Sequence, residues 1–239
     1  GATLMLLGVK TGIYAVLRVL YPIAPQAIQL YAPFLATAGV LGILFGGILS
    51  IQQSNLRRLL AYGSIAHVGM AMVAIAAGTA MSLSGAWMML VDFNISTMGL
   101  VFLAGLLWKR TGSNEVLHLG GMASKLPVLS IFMLLFWLSS LGLPGGSGFV
   151  GEWLTVVGSY PVLPGHTLLL IMGIALGVAG PMYWMMQGVG GPVRQATLGS
   201  VEDLLPLERR GMGILLAISI LIGVWPGLLL RWAEPILSQ

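Results

Sequence analysis

The run LGLPGGSGFVGE at residues 141–152 puts a helix-breaking segment and a carboxylate, Glu152, between two apolar stretches. The piece Leu143-Pro144-Gly145-Gly146 interrupts regular helix. The apolar piece that follows, residues 148–160, makes only about 20 Å of helix, too short to span a bilayer alone. Broken backbone at membrane depth persists only where protein or a water-filled cavity covers it. This stretch therefore predicts a membrane protein with an interrupted helix or a re-entrant hairpin near Glu152.

The composition of the whole chain supports this class. It is 57% hydrophobic and only 8% charged, with a mean hydropathy of +0.96, whereas soluble domains have roughly 25% charged residues. The 34 glycines suit membrane helices that pack closely. The sequence contains no cysteine, which excludes disulfides, thiolate metal sites and iron–sulfur ligation. The expected fold is an all-α, polytopic transmembrane bundle.

No cofactor, metal or nucleic-acid site is predicted in this chain. The sequence has no dinucleotide fingerprint, Walker loop or histidine pair for haem. The net charge of +4 does not indicate nucleic acid as a partner, because the basic residues lie in short loops between apolar runs. The expected partners are lipid and protons, and any chemistry is ion movement.

Apolar runs divide the chain into about eight predicted spans within one transmembrane domain, residues 1–239. The first predicted span begins at Thr3. Residues Gly1 to Leu7 are already apolar, so the start of the sequence resembles the middle of a membrane helix. We therefore expect a fragment of a longer fold. The spans are Thr3–Leu20, Ala32–Ile51, Leu59–Ala80, Gly85–Trp108, Pro127–Leu143, Gly148–Tyr160, His166–Gln187 and Met212–Trp232.

The loop charges predict the orientation of these spans. The basic residues after the second and fourth spans should be cytoplasmic, because the intervening loops 21–31 and 80–84 carry no charge. The basic residues before the last span lie on the same side of the membrane as the others only if the short apolar piece 148–160 does not cross the membrane by itself. The charge rule therefore favours seven crossings. The family resemblance described below favours eight, and eight is the prediction. The basic residues are Arg57, Arg58, Lys109, Arg110 and Lys125, and then Arg194, Arg209 and Arg210.

Four ionisable residues fall inside predicted spans, where their cost usually indicates function. Lys10 is deep if its helix begins before Gly1, and a buried lysine can release its proton near neutrality; otherwise it snorkels to the interface. Glu152, beside freed backbone, can hold or pass a proton; otherwise it satisfies helix-start amides.

The other two ionisable candidates are His67 and Asp92. His67 titrates near physiological pH and suits a relay, although a single histidine is often a packing residue; Tyr62 and Ser64 lie near it in sequence. Asp92 should face the bundle interior and pair with Lys, Arg or His, or else make a structural hydrogen bond between helices.

Three motifs resemble those of the antiporter-like membrane subunits of respiratory complex I. Residues 55–69, NLRRLLAYGSIAHVG, resemble "(L/I)KRLLAYSSVSHMG", residues 10–18, KTGIYAVLR, resemble "KxGxYGLLR", and residues 141–152 resemble "LGLPGxxGFVGE". Their order and spacing also match. The chain is most similar to the chain M type of proton-translocating NADH–quinone oxidoreductase.

The resemblance implies the C-terminal half of a fourteen-span fold with two inverted five-helix repeats. The second repeat would cover about residues 59–190, the final helix would cover about 211–232, and interrupted helices would lie near Lys10 and Glu152. Lys10 would be the central lysine of a half-channel, His67 part of a linking polar chain, and Glu152 part of the exit half-channel. Redox cofactors and quinone would bind partner subunits of the membrane complex, which the resemblance locates in the bacterial cytoplasmic membrane. This chain would be a non-redox subunit of a translocase.

Departures from the family pattern keep other functions open. The family usually has "SHG" or "AHG" where this chain has Asp92-Phe93-Asn94, so Phe93 replaces the expected relay histidine. Either Asp92 or Asn94 substitutes through water, or the proton path is broken. The alternatives are an Mrp-type cation/proton antiporter, a membrane-bound hydrogenase subunit, and a non-pumping scaffold or degenerate half-subunit.

Overall fold

The regular structure is helical in residues 11–192 and 201–231, which the computed structural model describes. The extended pairing in this part of the chain is one isolated bridge between Asn55 and Glu115. The all-helical prediction is confirmed. The helices are α1 (Thr11–Ile23), α2 (Pro25–Ile51), α3 (Leu56–Ala77), α4 (Ala80–Thr111), α5 (Met122–Lys125), α6 (Pro127–Ser140), α7 (Ser147–Ser159), α8 (Pro164–Gly188) and α9 (Pro206–Val224).

Four helices are long and apolar enough to cross a membrane. They are α2, α3, α4 and α8, with 27, 22, 32 and 25 residues. At 1.5 Å per residue each exceeds a hydrocarbon core about 30 Å thick. The protein is therefore an integral membrane protein. α2 begins at Pro25, earlier than the predicted Ala32, because a proline is well suited to the first helical turn.

The helix α9 lies earlier in the chain than the predicted span Met212–Trp232. It begins at Pro206, again with proline in the first turn. The Glu208 carboxylate accepts a hydrogen bond of 2.9 Å from the Leu205 amide, which satisfies one of the free amides at the helix start. The helix ends at Val224 because Pro226 disfavours helical backbone in the residue before it.

Close packing of α2 and α3 depends on small residues. A Cβ atom at Gly39 would lie 2.6 Å from the Gly69 carbonyl oxygen, and one at Gly46 would lie 2.7 Å from the Tyr62 carbonyl oxygen. Only glycine permits this approach of the two backbones, as in many membrane helix pairs.

One end of the bundle, which we call the charged end, carries Arg57, Lys109, Arg110, Asp203 and Glu208. Arg110 forms an ion pair with Glu208, which brings the end of α4 to the start of α9. The Asp203 carboxylate accepts hydrogen bonds from the first amides of α6 at 2.7 and 3.1 Å. The starts of α3, α6 and α9 and the end of α4 therefore lie together.

The short helices α6 and α7 follow each other along α4. α6 begins at the charged end, and in its last turn Ser139 Oγ lies 3.1 Å from Ser96 Oγ near the middle of α4. α7 begins with Ser147 at the same level and ends where Thr79, just before α4, donates to the Gly158 carbonyl oxygen. The two helices thus cover α4 from one end to the other, separated by the break at residues 141–146.

Two loops at the charged end are joined through Glu115. Its carboxylate accepts hydrogen bonds from Ser54 Oγ at 2.6 Å and from Asn55 Nδ2 at 2.7 Å. The hydrogen bonds from Ser54 and Asn55 hold the pKa of the Glu115 carboxyl below its ordinary value of 4.5, with smaller contributions from Arg58 and His118. They outweigh the opposing effect of partial burial on this pKa.

The stabilisation from Glu115 should depend on pH. Because folding lowers the pKa of this carboxyl, its contribution to the free energy of unfolding is present above about 4.5 and is lost as the pH falls through the lowered pKa. We expect Glu115→Gln to lower Tm at neutral pH, and the difference from wild type to close in acid. Thermal unfolding of the solubilised complex from neutral to acid pH measures this, with Glu202→Gln as the exposed control. A Tm difference that stays constant across this range would contradict the assignment.

Candidate functional site

The three predicted site residues within the described chain lie at mid-depth of the bundle. His67 is near the middle of α3, Asp92 is near the middle of α4, and Glu152 is in the second turn of α7. Lys10, the fourth predicted residue, lies outside the described residues. The site is therefore built from three helices that run side by side.

The helix break before α7 positions Glu152. Gly142 has φ +70°, in the left-handed region, and a Cβ atom there would collide with Glu152 Oε2. The carboxylate thus packs directly on the backbone of the break. The Glu152 side chain also lines the adjoining cavity.

This cavity, of about 50 Å³, lies between α2, α3, α6, α7 and α8. A buried water needs at least about 10–15 Å³ and several polar partners, so the space suits roughly three to four waters. His67 and Glu152 both line it, and further polar groups are distributed around its wall. These polar lining residues are Ser50, Ser64, His67, Thr97, Ser140 and Glu152.

His67 has a polar side and an apolar side. Its Nε2 lies 3.5 Å from Ser140 Oγ, a long contact at the cavity wall. On the other side, the Phe93 ring meets the imidazole edge-on, with 5.7 Å between ring centroids. A second void of only about 10 Å³ separates His67 from Ile13 of α1, and it is lined by apolar residues apart from His67. The polar side of the histidine thus faces the cavity that Glu152 also lines.

Asp92 is buried in a network of serine hydroxyls. Ser96 and Ser147 donate to its Oδ1 at 2.7 and 2.5 Å. Ser139 Oγ lies 3.1 Å from Ser96 Oγ, and Ser219 Oγ lies 2.8 Å from both Ser139 and Ser147. Asp92 therefore faces the bundle interior, as expected, and serines from α4, α6, α7 and α9 surround it.

A π-helical turn at Phe93–Thr97 shapes this part of α4. Asp92, Phe93, Ser96 and Thr97 are all buried, while Asn94 is exposed and donates to the Leu90 carbonyl oxygen at 2.9 Å. Of the two residues suggested as substitutes for the relay histidine, Asp92 faces the bundle interior and Asn94 does not. Such π-turns are frequent at functional sites.

Sequence reasoning did not identify the serines of α6, α7 and α9 around this site. A single serine in an apolar helix is a common packing residue, so Ser139, Ser140, Ser147 and Ser219 carry no distinctive pattern. The available signal was weak: serines in membrane helices tend to face other helices rather than lipid.

The proximity of Asp92 and Glu152 gives the site its electrostatic character. A Cβ atom at Gly148, one turn before Glu152, would lie 3.1 Å from Asp92 Oδ2. Asp92 on α4 and Glu152 on α7 are therefore two acidic side chains on neighbouring surfaces of packed helices.

Comparisons with known proteins agree with this architecture. The chain is 31% identical to NADH-quinone oxidoreductase subunit M of Pseudomonas aeruginosa over 91% of this chain and 42% of that protein. It resembles a chain of respiratory complex I from Thermus thermophilus with bound NADH, with TM-score 0.88, 29% identity, and coverage of 95% of this chain and 48% of that one. A chain of the Mrp complex from Dietzia sp. shares the fold, with TM-score 0.84, 15% identity and coverage of 96% and 51%.

The chain therefore spans less than half the length of the curated relatives that it matches. A family model described as "NADH:quinone oxidoreductase/Mrp antiporter, TM" matches residues 1–177. This match covers most of the chain, including the helix break and all three described site residues. The protein belongs to the NADH:quinone oxidoreductase/Mrp antiporter transmembrane family.

Proposed function

We propose that this chain moves protons through the membrane arm of a complex I-like NADH–quinone oxidoreductase. The observation that supports this most directly is the cavity that His67 and Glu152 both line at mid-depth of the bundle. A hydrated connection between two titratable groups is the minimum that proton transfer across an apolar layer requires. The subunit M relatives and the complex I neighbour support the same function.

In this proposal the proton passes between His67 and Glu152 through cavity water. The imidazole of His67 can accept a proton on one ring nitrogen and release one from the other. Glu152 accepts the proton beside the helix break, and Asp92 lies close to it on α4. Lys10 would supply or receive the proton on the other side of His67, a role that rests on the family resemblance alone.

The finer topology is also a proposal. The interrupted helices near Lys10 and Glu152 would belong to the C-terminal half of the antiporter-like fold, with the second repeat at about 59–190. Of the eight predicted spans, the fifth and sixth correspond to α6 and α7, and these would share one interrupted crossing. Their end-to-end packing along α4 supports this count of seven crossings. Arg209 and Arg210 would then lie on the same side as Arg57, in agreement with the charge rule.

The proposed partners are the other membrane-arm subunits, lipid and protons, in a bacterial cytoplasmic membrane. Redox cofactors and quinone would bind in other subunits. In the described residues no group of three or more His, Cys, Asp or Glu side chains is arranged to hold a metal ion. Polar side chains at the lipid-facing edge of a helix bundle are costly unless another protein subunit covers them, which is why partner subunits are proposed.

A second candidate function is a non-pumping scaffold, and one observation favours it. The apolar ring of Phe93 stands where the family usually carries a histidine, and it packs edge-on against His67. An Mrp-type cation/proton antiporter or a hydrogenase subunit is a third, supported by the family description. A sodium-dependent pH response in vesicles would favour the antiporter.

Replacing His67 by glutamine tests the proton-transfer proposal. Glutamine keeps a hydrogen-bonding group at the cavity wall but cannot titrate, so we expect proton translocation to fall several-fold while the complex still assembles. Proton uptake driven by NADH oxidation in proteoliposomes measures this. His118→Gln, in the exposed loop after α4, is the matched control and should translocate normally. If both variants translocate as wild type does, the scaffold function becomes the better one.

A further inference from the structure

Asp92 and its four serines form a closed ring of oxygen atoms. The ring runs from Asp92 Oδ1 to Ser96, Ser139, Ser219 and Ser147 and back to Oδ1. Its five O···O distances, in that order, are 2.7, 3.1, 2.8, 2.8 and 2.5 Å. Ser96, Ser147 and Ser219 are fully buried, with Ser139 and Asp92 nearly so. Each contact is within hydrogen-bonding range.

The number of hydrogen atoms in this ring decides what it can hold. Each serine hydroxyl supplies one hydrogen, so an ionised Asp92 leaves four hydrogens for five contacts. Ser96 and Ser147 donate to the carboxylate, and the hydrogens of Ser139 and Ser219 must serve the remaining three contacts. One pair of oxygens then faces each other without a hydrogen, which is unfavourable in a buried site. The longest contact, Ser96 to Ser139 at 3.1 Å, is the natural position of that gap.

One added proton closes the ring. When Asp92 Oδ1 is protonated, it can donate to Ser96, Ser96 to Ser139, Ser139 to Ser219, Ser219 to Ser147, and Ser147 back to Asp92. Every contact then contains one hydrogen, and all five hydroxyl groups donate once and accept once. The hydrogen bonds in such a closed chain of hydroxyls strengthen one another.

We propose that Asp92 with Ser96, Ser139, Ser147 and Ser219 is a store for a single proton beside Glu152. The proposal rests on the proposed function and names the group that exchanges protons with Glu152. The new O–H bond forms at Asp92 as the O–H bond of a protonated Glu152 breaks, and Glu152 regains a proton from the cavity that it lines. Only the Ser96 hydroxyl turns, from Asp92 Oδ1 to Ser139 Oγ, and the other three serine hydroxyls keep their direction. Ser219 and Ser139 are positioning residues, because they act on Asp92 only through the ring.

The charged surroundings suit exchange with Glu152. Among the described residues packed against the ring, the titratable groups are Glu152 on α7 and His67 on α3, which lies across Phe93. α6 contains no ionisable residue, and the nearest charged residue of α9, Arg210, is nine positions before Ser219. Glu152 lies close to the ring, since a Cβ atom at Gly148, one turn before it on α7, would lie 3.1 Å from Asp92 Oδ2.

Removing one hydroxyl from the ring tests the proposal, because it should lower the protonated fraction of Asp92. In Ser219→Ala three contacts remain for the three hydrogens of Ser96, Ser139 and Ser147, so an ionised Asp92 no longer leaves any contact empty. The protonated fraction of Asp92 should therefore fall, although Ser219 does not touch Asp92. Ser139→Ala opens the ring at another place and should do the same. Both changes only shorten a side chain, and Ser130→Ala, a buried serine of α6 outside the ring, is the matched control.

Infrared difference spectroscopy of the assembled complex at neutral pH measures the protonated carboxyl directly, with the Asp92 band defined by its loss in Asp92→Asn. We expect the band in wild type and Ser130→Ala, and loss of most of its intensity in Ser219→Ala and Ser139→Ala. An unchanged band in both open-ring variants, or no Asp92 band in wild type, would overturn the ring. The infrared band and proton pumping are measured independently. Normal translocation in Glu152→Gln would contradict the proposed function, and it would leave the Asp92 band as a separate test of the ring.

Discussion

Replacing Glu152 with glutamine is expected to lower proton translocation by about tenfold or more, because a positioned acid–base group commonly contributes a factor of about 10²–10⁴ to proton transfer. Glutamine has the same shape and can stay packed against Gly142, but it cannot carry the proton. The measurement is the number of protons translocated per electron in proteoliposomes that contain the assembled complex. Assembly is checked by copurification of the partner subunits.

Glu202→Gln is the matched control for this variant. It removes a carboxylate from the same chain at an exposed position of the charged end, so it should leave the proton-to-electron ratio at the wild-type value. A Glu152→Gln complex with an unchanged ratio would show that the cavity is not on the proton path.

Gly142→Ala is expected to have the second large effect, through displacement of the Glu152 carboxylate. The new Cβ atom would collide with Glu152 Oε2, and the flexible glutamate side chain would move away from the helix break. Alanine at φ +70° also costs roughly 1–2 kcal/mol of backbone strain. We therefore expect a modest fall in Tm together with a strong loss of translocation.

Gly112→Ala is the control that separates backbone strain from displacement of the Glu152 carboxylate. It has nearly the same backbone conformation, φ +72°, but no atom within 4 Å of a Cβ placed there. Gly112→Ala should lower Tm about as much as Gly142→Ala and leave translocation near wild type. Equal translocation in the two variants would mean that the position of the Glu152 carboxylate does not matter for transfer.

Several features of the fold could be predicted from the sequence because they depend on local composition. Runs of apolar residues long enough to cross a bilayer gave the long helices α2, α3, α4 and α8, and Pro144 with its glycines gave the break before α7. Rare ionisable residues in apolar runs identified His67, Asp92 and Glu152, since burial of such groups is costly. Helix ends were less certain: Pro25 and Pro206 start α2 and α9 earlier than hydropathy alone suggests.

The candidate site was predicted only in part. The motif at 141–152 indicated that Glu152 follows a break, but not that Gly142 would pack on its carboxylate. Phe93 was recognised as a departure from the family pattern, and its edge-on contact with His67 could be seen only in the folded chain. The roles of Lys10, His67, Asp92 and Glu152 in proton transfer remain predictions for the experiments above.

The sequence by itself determined that this protein is a helical membrane protein and which few residues could carry charge inside it, because hydropathy and helix breaks are properties of short stretches. Only the tertiary structure decided which polar groups meet. Ser139, Ser147 and Ser219 join the hydrogen-bonded ring of Asp92 from positions 47 to 127 residues away in sequence. A buried carboxylate takes its partners from whichever helices pack beside it, and a single serine has no local pattern that reveals this contact.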